Sequence, residues 1–263
     1  MKKTETLFGV STSTNTATTL ITPVPWDVTT SYGKGTAHGP AAILEASPQL
    51  DLYHPVFQKK WWEGVAMAPI SENVQRVNEK IRPVAQRVIQ AHDEGTFRRY
   101  NAHLKRDVEA VNDACQWLCH WVETEVTRVL TQKKKSVLLG GEHSVSLGSL
   151  KAHAKQIGAL GVLQIDAHMD LRKAYQGFVH SHASVMYEAM RLNEITQLVQ
   201  VGIRDCCEAE VAYQEANRDR ITVFRDDALK RRLFQGENWD VLCHEMVRNL
   251  PEKVYIKIGR AHV

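Results

Sequence analysis

Apolar residues recur at three- and four-residue steps most clearly at Val108, Val111, Cys115, Leu118, Val122, Val126 and Val129. That period puts them on one face of a long helix, with Trp117 and Trp121 on a neighbouring face. A helical pattern also runs from about Glu72 to His92. A shorter helix is opened by Pro40 at its first position and continues through Ala41-Ala42-Ile43-Leu44-Glu45-Ala46. Downstream the chain alternates. Ser136-Val137-Leu138-Leu139 predicts a strand and Val145 to Gln156 a helix. Leu160 to Ile165 predicts a strand and Ala183 to Leu192 a helix. Gln197 to Ile203 and Ile221 to Phe224 read as strands, and Val254-Tyr255-Ile256 as the start of a last one. Upstream, Ala17 to Pro25 reads as a first strand running into a Gly- and Thr-rich loop, Trp26 to Pro40, with a poorer strand within Trp61 to Ile70. Apolar strands separated by helices mean βαβ units and a parallel sheet covered on both faces. The expected class is α/β, a three-layer α/β/α arrangement with a mainly parallel sheet. No linker and no internal repeat interrupts it, so residues 1–257 are read as one domain.

Composition changes this picture little. The chain has 263 residues, 43% hydrophobic and 24% charged, with a formal net charge of +3. So small an excess gives no reason to expect nucleic acid or an anionic membrane as partner. The basic run Lys133-Lys134-Lys135 reads as the solvated start of a strand. No apolar run reaches the ~18 residues of a spanning helix, and the lysines near the N-terminus lead into no signal-peptide core. Cys115, Cys119, Cys206, Cys207 and Cys243 are odd in number and form no secreted disulfide framework. The expectation is a soluble cytoplasmic protein. Cys115 and Cys119 beside His120 lack a second pair of closely spaced ligands, and read as a buried helix seam rather than a zinc site.

The chemistry-bearing residues collect where strands end, which is where open parallel sheets bind ligands. The strand ending at Leu139 runs into Gly140-Gly141-Glu142-His143-Ser144, and the strand ending at Ile165 into Asp166-Ala167-His168-Met169-Asp170. Two strand residues span about 6.6 Å and point to one side. Asp166 and His168 therefore suit two metal ions about 3.5–4 Å apart. Asp170 lies too far along a straight strand, so the chain must curl there. Carboxylate and imidazole donors without thiolates favour Mn²⁺ or a similar borderline-hard ion over a structural zinc.

Those two segments, followed by Ser181-His182-Ala183-Ser184, resemble in order and spacing the motifs of the ureohydrolase (arginase/agmatinase) family. Pro23-Val24-Pro25-Trp26-Asp27 and Gly35-Thr36-Ala37-His38-Gly39-Pro40-Ala41-Ala42-Ile43 resemble that family's N-terminal loop and helix. The resemblance covers about Ile21 to Ile256. It implies two Mn²⁺ ions per full-length subunit, with His143 and Asp170 on one, His168 on the other and Asp166 bridging. It implies His182 as a proton shuttle, and hydrolysis of a guanidino or related amidino compound with release of urea. It also implies a homo-oligomer, trimer or hexamer, in the full-length protein. Ser181-His182-Ala183-Ser184 is similar to the Ser-His-Gly-Thr of agmatinase-like members, making agmatine the first choice of substrate. Asp170-Leu171-Arg172 resembles a run common in formimidoylglutamases, where Arg172 would bind a substrate carboxylate. A metal-poor family member acting as a binding or scaffold protein is a third reading.

Two departures accompany the resemblance. Glu142 stands where the family usually has Asp, which alters the surroundings of His143. The family's second Asp-x-Asp pair, expected after the strand that begins at Lys253-Val254-Tyr255-Ile256, is missing, and with it the last strands. Residues 258–263, Ile-Gly-Arg-Ala-His-Val, match what a sequencing adapter encodes in one frame. They are read as a non-native tail after loss of the natural frame near Lys257, so that His262 is no ligand and the fragment is inactive.

Overall fold

Residues 19–24 carry the first strand because Leu20 and Val24 are apolar and Thr19 and Ile21 are β-branched. The computed structural model describes residues 6–56, 62–97 and 101–259. The chain divides into two units, Met1–Ser149 and Leu150–Val263.

The first unit holds β1 (Thr19–Val24), α1 (Gly39–Ala46), β2 (Val65–Met67), α2 (Glu72–Asp93), α3 (Asn101–Thr131) and β3 (Lys135–Gly140). Its strands form a parallel sheet in the order β2-β1-β3. Ser71 caps α2, its hydroxyl accepting from the Val74 amide at 3.3 Å. The stripe read on α3 is its buried face: Val111, Cys115, Leu118, Cys119, Val122, Val126 and Val129 are all buried, and His120 is exposed. Burial pushes the Cys115 thiol well above its ordinary acidity range. This is a helix seam, as the sequence predicts. The strand expected within 61–70 is the short β2, and Trp61 lies outside the described residues. Lys134 of the basic run is anchored rather than merely solvated, donating to Thr14 O at 2.6 Å and Asn15 O at 3.0 Å.

The second unit follows α4 (Ser146–Ile157) with β4 (Leu160–Ile165), α5 (Val185–Met190), β5 (Ile195–Ile203), α6 (Glu208–Ala216), β6 (Ile221–Arg225), α7 (Asp226–Phe234), α8 (Trp239–Val247) and β7 (Val254–Ile258). Its sheet is again parallel, in the order β6-β5-β4-β7. Leu198, Val199 and Gln200 are consecutive and all fully buried. Successive strand residues point to opposite faces, so both faces of β5 are covered, whereas Val254, Ile256 and Ile258 of β7 are exposed. Leu229, Leu242 and Met246 of α7 and α8 pack together with Val201 and Phe224.

The α/β class and parallel pairing agree with the sequence reading. The helices α6, α7 and α8 do not stand out in it, because each is short and carries few buried side chains. The helix expected over 183–192 is shorter, α5 being preceded by a 3-10 turn at His182–Ser184. No helix among the described residues is long and apolar enough to cross a membrane.

Candidate metal centre

Strand β4 lies between β5 and β7, so its carboxyl end has neighbours on both sides. The register sets Gln200 of β5, Gln164 of β4 and Lys257 of β7 beside one another. Residues in register on parallel neighbours point to the same face, and Asp166, two residues beyond Gln164, follows them. Three polar side chains thus form a row in a buried sheet, Gln200 and Gln164 fully buried and Lys257 5% exposed. Burying them requires that they satisfy one another. Gln200 Nε2 donates to Gln164 Oε1 at 2.7 Å and to Met169 O at 2.6 Å. Gln164 Nε2 faces Asp166 Oδ2 at 3.2 Å, His168 O at 3.1 Å and Asp170 Oδ2 at 3.4 Å.

The row ends on a cation. Lys257 Nζ donates to Asp166 Oδ2 at 2.6 Å and to Asp170 Oδ2 at 2.7 Å. Burial works to lower the pKa of this ammonium, and the carboxylates of Asp170 and Asp166 outweigh it, so that the net shift is upward. The curl expected beyond Ile165 is present. Asp170 has φ +54°, in the left-handed region, and brings its carboxylate back beside that of Asp166. The amides of Met186 and Tyr187 donate to Asp170 O and tie the curl to the start of α5.

His168 stands on the other side of Asp166. Its amide donates to Asp166 Oδ1 at 3.2 Å, its Nδ1 lies 3.9 Å from the same oxygen, and its Nε2 lies 3.6 Å from Asp205 Oδ2. The ring is 46% exposed. Asp166 therefore presents Oδ2 to Lys257 and Oδ1 to His168.

Arg172 and His182 are joined through Tyr175. The Arg172 guanidinium lies 4.9 Å from the Tyr175 ring centroid, and Tyr175 meets His182 edge-on at 5.7 Å. Arg172 Nε is 3.7 Å from the buried carboxylate of Glu210. Glu210 also accepts from the amides of Leu171 and Cys207, each at 3.0 Å. The positive charge of Arg172 thus already has a buried counter-charge.

In the first unit His143 follows β3 in a 3-10 turn, His143–Val145. Gly140-Gly141 allows this because Gly141 has φ +41° and a Cβ there would come 2.4 Å from Trp26 O. Glu142 points inward, its Oε2 accepting from Thr29 Oγ1 at 2.6 Å and its Oε1 from the Thr29 amide at 3.1 Å. Burial pushes its carboxyl up to about 7, against the opposing pull of the Thr29 donors. The loop after β1 is held by Asp27, which accepts from Asn78 Nδ2 at 3.0 Å and from the Gly35 amide at 2.7 Å. Arg82 donates to Val28 O and Thr30 O, both at 2.8 Å.

The donor set of the second unit, two carboxylates and an adjacent imidazole, fits a hard or borderline divalent ion in type. The place between the carboxylates is held by Lys257. Sequence reasoning passed over Lys257, Gln164, Gln200, Asp205, Tyr175 and Glu210. For Gln164 a partial signal exists, since it is the polar exception within the apolar run Leu160–Ile165, whereas Gln200 shares its strand with Thr196 and Gln197. Of the tail read at 258–263, residues 260–263 lie outside the described residues.

Comparison with known proteins adds the family. The arginase family profile matches residues 17–242. An N(1)-aminopropylagmatine ureohydrolase of Synechocystis sp. is 30% identical over 251 residues, covering 92% of this chain and 66% of that protein. The chain therefore spans somewhat under two-thirds of that relative's length. The crystal structure of an agmatine ureohydrolase of Thermoplasma volcanium superposes with TM-score 0.69 at 19% identity, over 97% of this chain and 71% of that one. A Trypanosoma cruzi formiminoglutamase structure with Mn²⁺ superposes with TM-score 0.65 at 14% identity, over 96% of this chain and 72% of that one. The structural likenesses show a shared fold. This chain belongs to the arginase family.

Proposed function

We propose that the protein carrying this chain is a manganese-dependent hydrolase of a guanidino compound that releases urea, with agmatine or an agmatine derivative as substrate. The observation that carries this reading is the convergence of the Asp166 and Asp170 carboxylates on one cation position at the carboxyl end of β4. The name of the Synechocystis relative supports the substrate class. The proposed ligands are His143, Asp166, His168 and Asp170, for two Mn²⁺ ions per full-length subunit. When bound, the ions supply an acidified water and compensate charge that develops on the guanidino carbon's substituents.

The chain's own residues do the rest. Gln164, steadied by Gln200, fixes the Oδ2 atoms of Asp166 and Asp170. Asp205 faces the far nitrogen of His168 and orients its ring. His182, braced by the edge of Tyr175, carries a proton toward the leaving amine. Arg172 has Glu210 as a counter-charge 3.7 Å away, which weakens its pull on a substrate carboxylate and favours a guanidino substrate over formimidoylglutamate. Assembly as a trimer or hexamer is proposed for the full-length protein.

The test is urea release with Mn²⁺ from agmatine and aminopropylagmatine, beside formimidoylglutamate, on the protein continued to the length of its relatives. His182→Ala should lower kcat at least tenfold. His168→Ala and Asp166→Ala should each lower bound manganese, read by elemental analysis. Unchanged manganese in both variants would defeat the metal assignment. Turnover of formimidoylglutamate alone, with its KM raised by Arg172→Met, would establish the other substrate. The 263-residue chain by itself should release no urea.

A further inference from the structure

We propose that Lys257 is a resident cation of the Asp166–Asp170 carboxylate pair and keeps a divalent metal ion out of it in this chain. The proposal rests on the metal-site reading above and adds a competitor to it.

Geometry makes the competition direct. Lys257 Nζ contacts Oδ2 of Asp166 and Oδ2 of Asp170, at 2.6 and 2.7 Å. A metal ion bridging those two oxygens would need the same space. The ammonium is 5% exposed and the two carboxylates 0% and 3%, so the contest takes place away from water, where like charges repel strongly. Lys257 also cannot swing aside cheaply. Its backbone is in register with Gln164 near the end of β7, an edge strand paired to β4, and burial leaves its head no water to enter. Two carboxylates and one ammonium sum to a single negative charge, a smaller attraction for a divalent ion than the bare pair would exert.

The experiment is a manganese titration of the intact 263-residue chain and of Lys257→Met, which keeps the length of the side chain and removes its charge. Free Mn²⁺ is read by electron paramagnetic resonance, and thermal unfolding is followed with and without Mn²⁺. Lys257→Met should bind Mn²⁺ at least tenfold more tightly than the parent, and Mn²⁺ should raise its Tm but not that of the parent. Adding Asp166→Asn to Lys257→Met should abolish the gain. If Lys257→Met folds only when Mn²⁺ is present, the proposal is equally supported. If it folds in neither condition, Lys257→Gln is read in its place by the same criteria. Equal, tight binding by parent and variant overturns the proposal and leaves the metal reading standing. Absence of binding in parent, Lys257→Met and Lys257→Gln overturns both.

Discussion

The carboxyl ends of β3 and β4 meet the same difficulty, a carboxylate buried where a parallel strand stops, and they solve it differently. After β3, Glu142 is 1% exposed and accepts hydrogen bonds from neutral donors, the hydroxyl and amide of Thr29, with the Arg82 charge also acting on it. Its pKa is accordingly pushed up to about 7, because burial outweighs those hydrogen bonds. After β4, Asp166 and Asp170 are answered by a full positive charge on Lys257 and by one amide on Gln164. A single buried carboxyl can be kept by dipoles. A close pair of carboxylates calls for a cation, and whichever cation is present defines what the pair can do. The first strand end is therefore held by local shape and hydrogen bonding, the second by charge.

If that difference is real, removing the charge should be the most damaging change at either strand end. Lys257→Met leaves two buried carboxylates without their counter-charge, and removing one partner from such a cluster costs about 3–5 kcal/mol. Urea unfolding in a metal-free buffer, followed by tryptophan fluorescence, measures this. A loss below about 1 kcal/mol, in the range of an exposed ion pair, would mean that the β4 end does not depend on charge.

The β3 end should break through its backbone instead. Gly141→Ala puts a Cβ on a residue with φ +41°, 2.4 Å from Trp26 O and 2.7 Å from Val24 O. Strain and collision together should cost about 2–3 kcal/mol, with no dependence on added Mn²⁺. Unfolding curves of Gly141→Ala with and without Mn²⁺ make the comparison. A metal-dependent rescue of this variant would erase the contrast between the two ends.

Much of this was legible in the sequence because it rests on local pattern. The α3 stripe, the βαβ alternation and the curl that returns Asp170 all follow from residue spacing, and the structure agrees with them. The row Gln200–Gln164–Lys257 was not legible, because it depends on register between strands far apart in the chain. Gln164 inside Leu163-Gln164-Ile165 looks like an ordinary strand residue until its neighbours are known. Lys257 looks like the outer face of a last strand, since it sits between the apolar Ile256 and Ile258, yet in the fold Val254, Ile256 and Ile258 are exposed and Lys257 is buried. In that strand the usual inside and outside are exchanged. Glu210 and Tyr175 escaped for a related reason. Each acts on a candidate residue, Arg172 or His182, through a contact that only the folded chain makes.

The smallest of the expected effects tests the neutral half of the comparison. Thr29 Oγ1 donates to Glu142 Oε2 at 2.6 Å, and the Thr29 amide donates to Oε1 at 3.1 Å. Thr29→Val preserves shape and the backbone donor and removes the hydroxyl, so one buried carboxyl oxygen loses its donor. A lost hydrogen bond to a buried group of this kind costs about 1–2 kcal/mol. The cost should sit below that of Lys257→Met because Glu142, with its pKa raised to about 7, can bear the loss partly as a neutral carboxyl. Thr29→Ser keeps the hydroxyl and gives up only a buried methyl, about 0.5–1 kcal/mol. The two variants, compared by urea unfolding at neutral pH, separate hydrogen bonding from packing. If Thr29→Ser costs as much as Thr29→Val, the hydroxyl is not what keeps Glu142 inside, and the β3 end is held by packing alone.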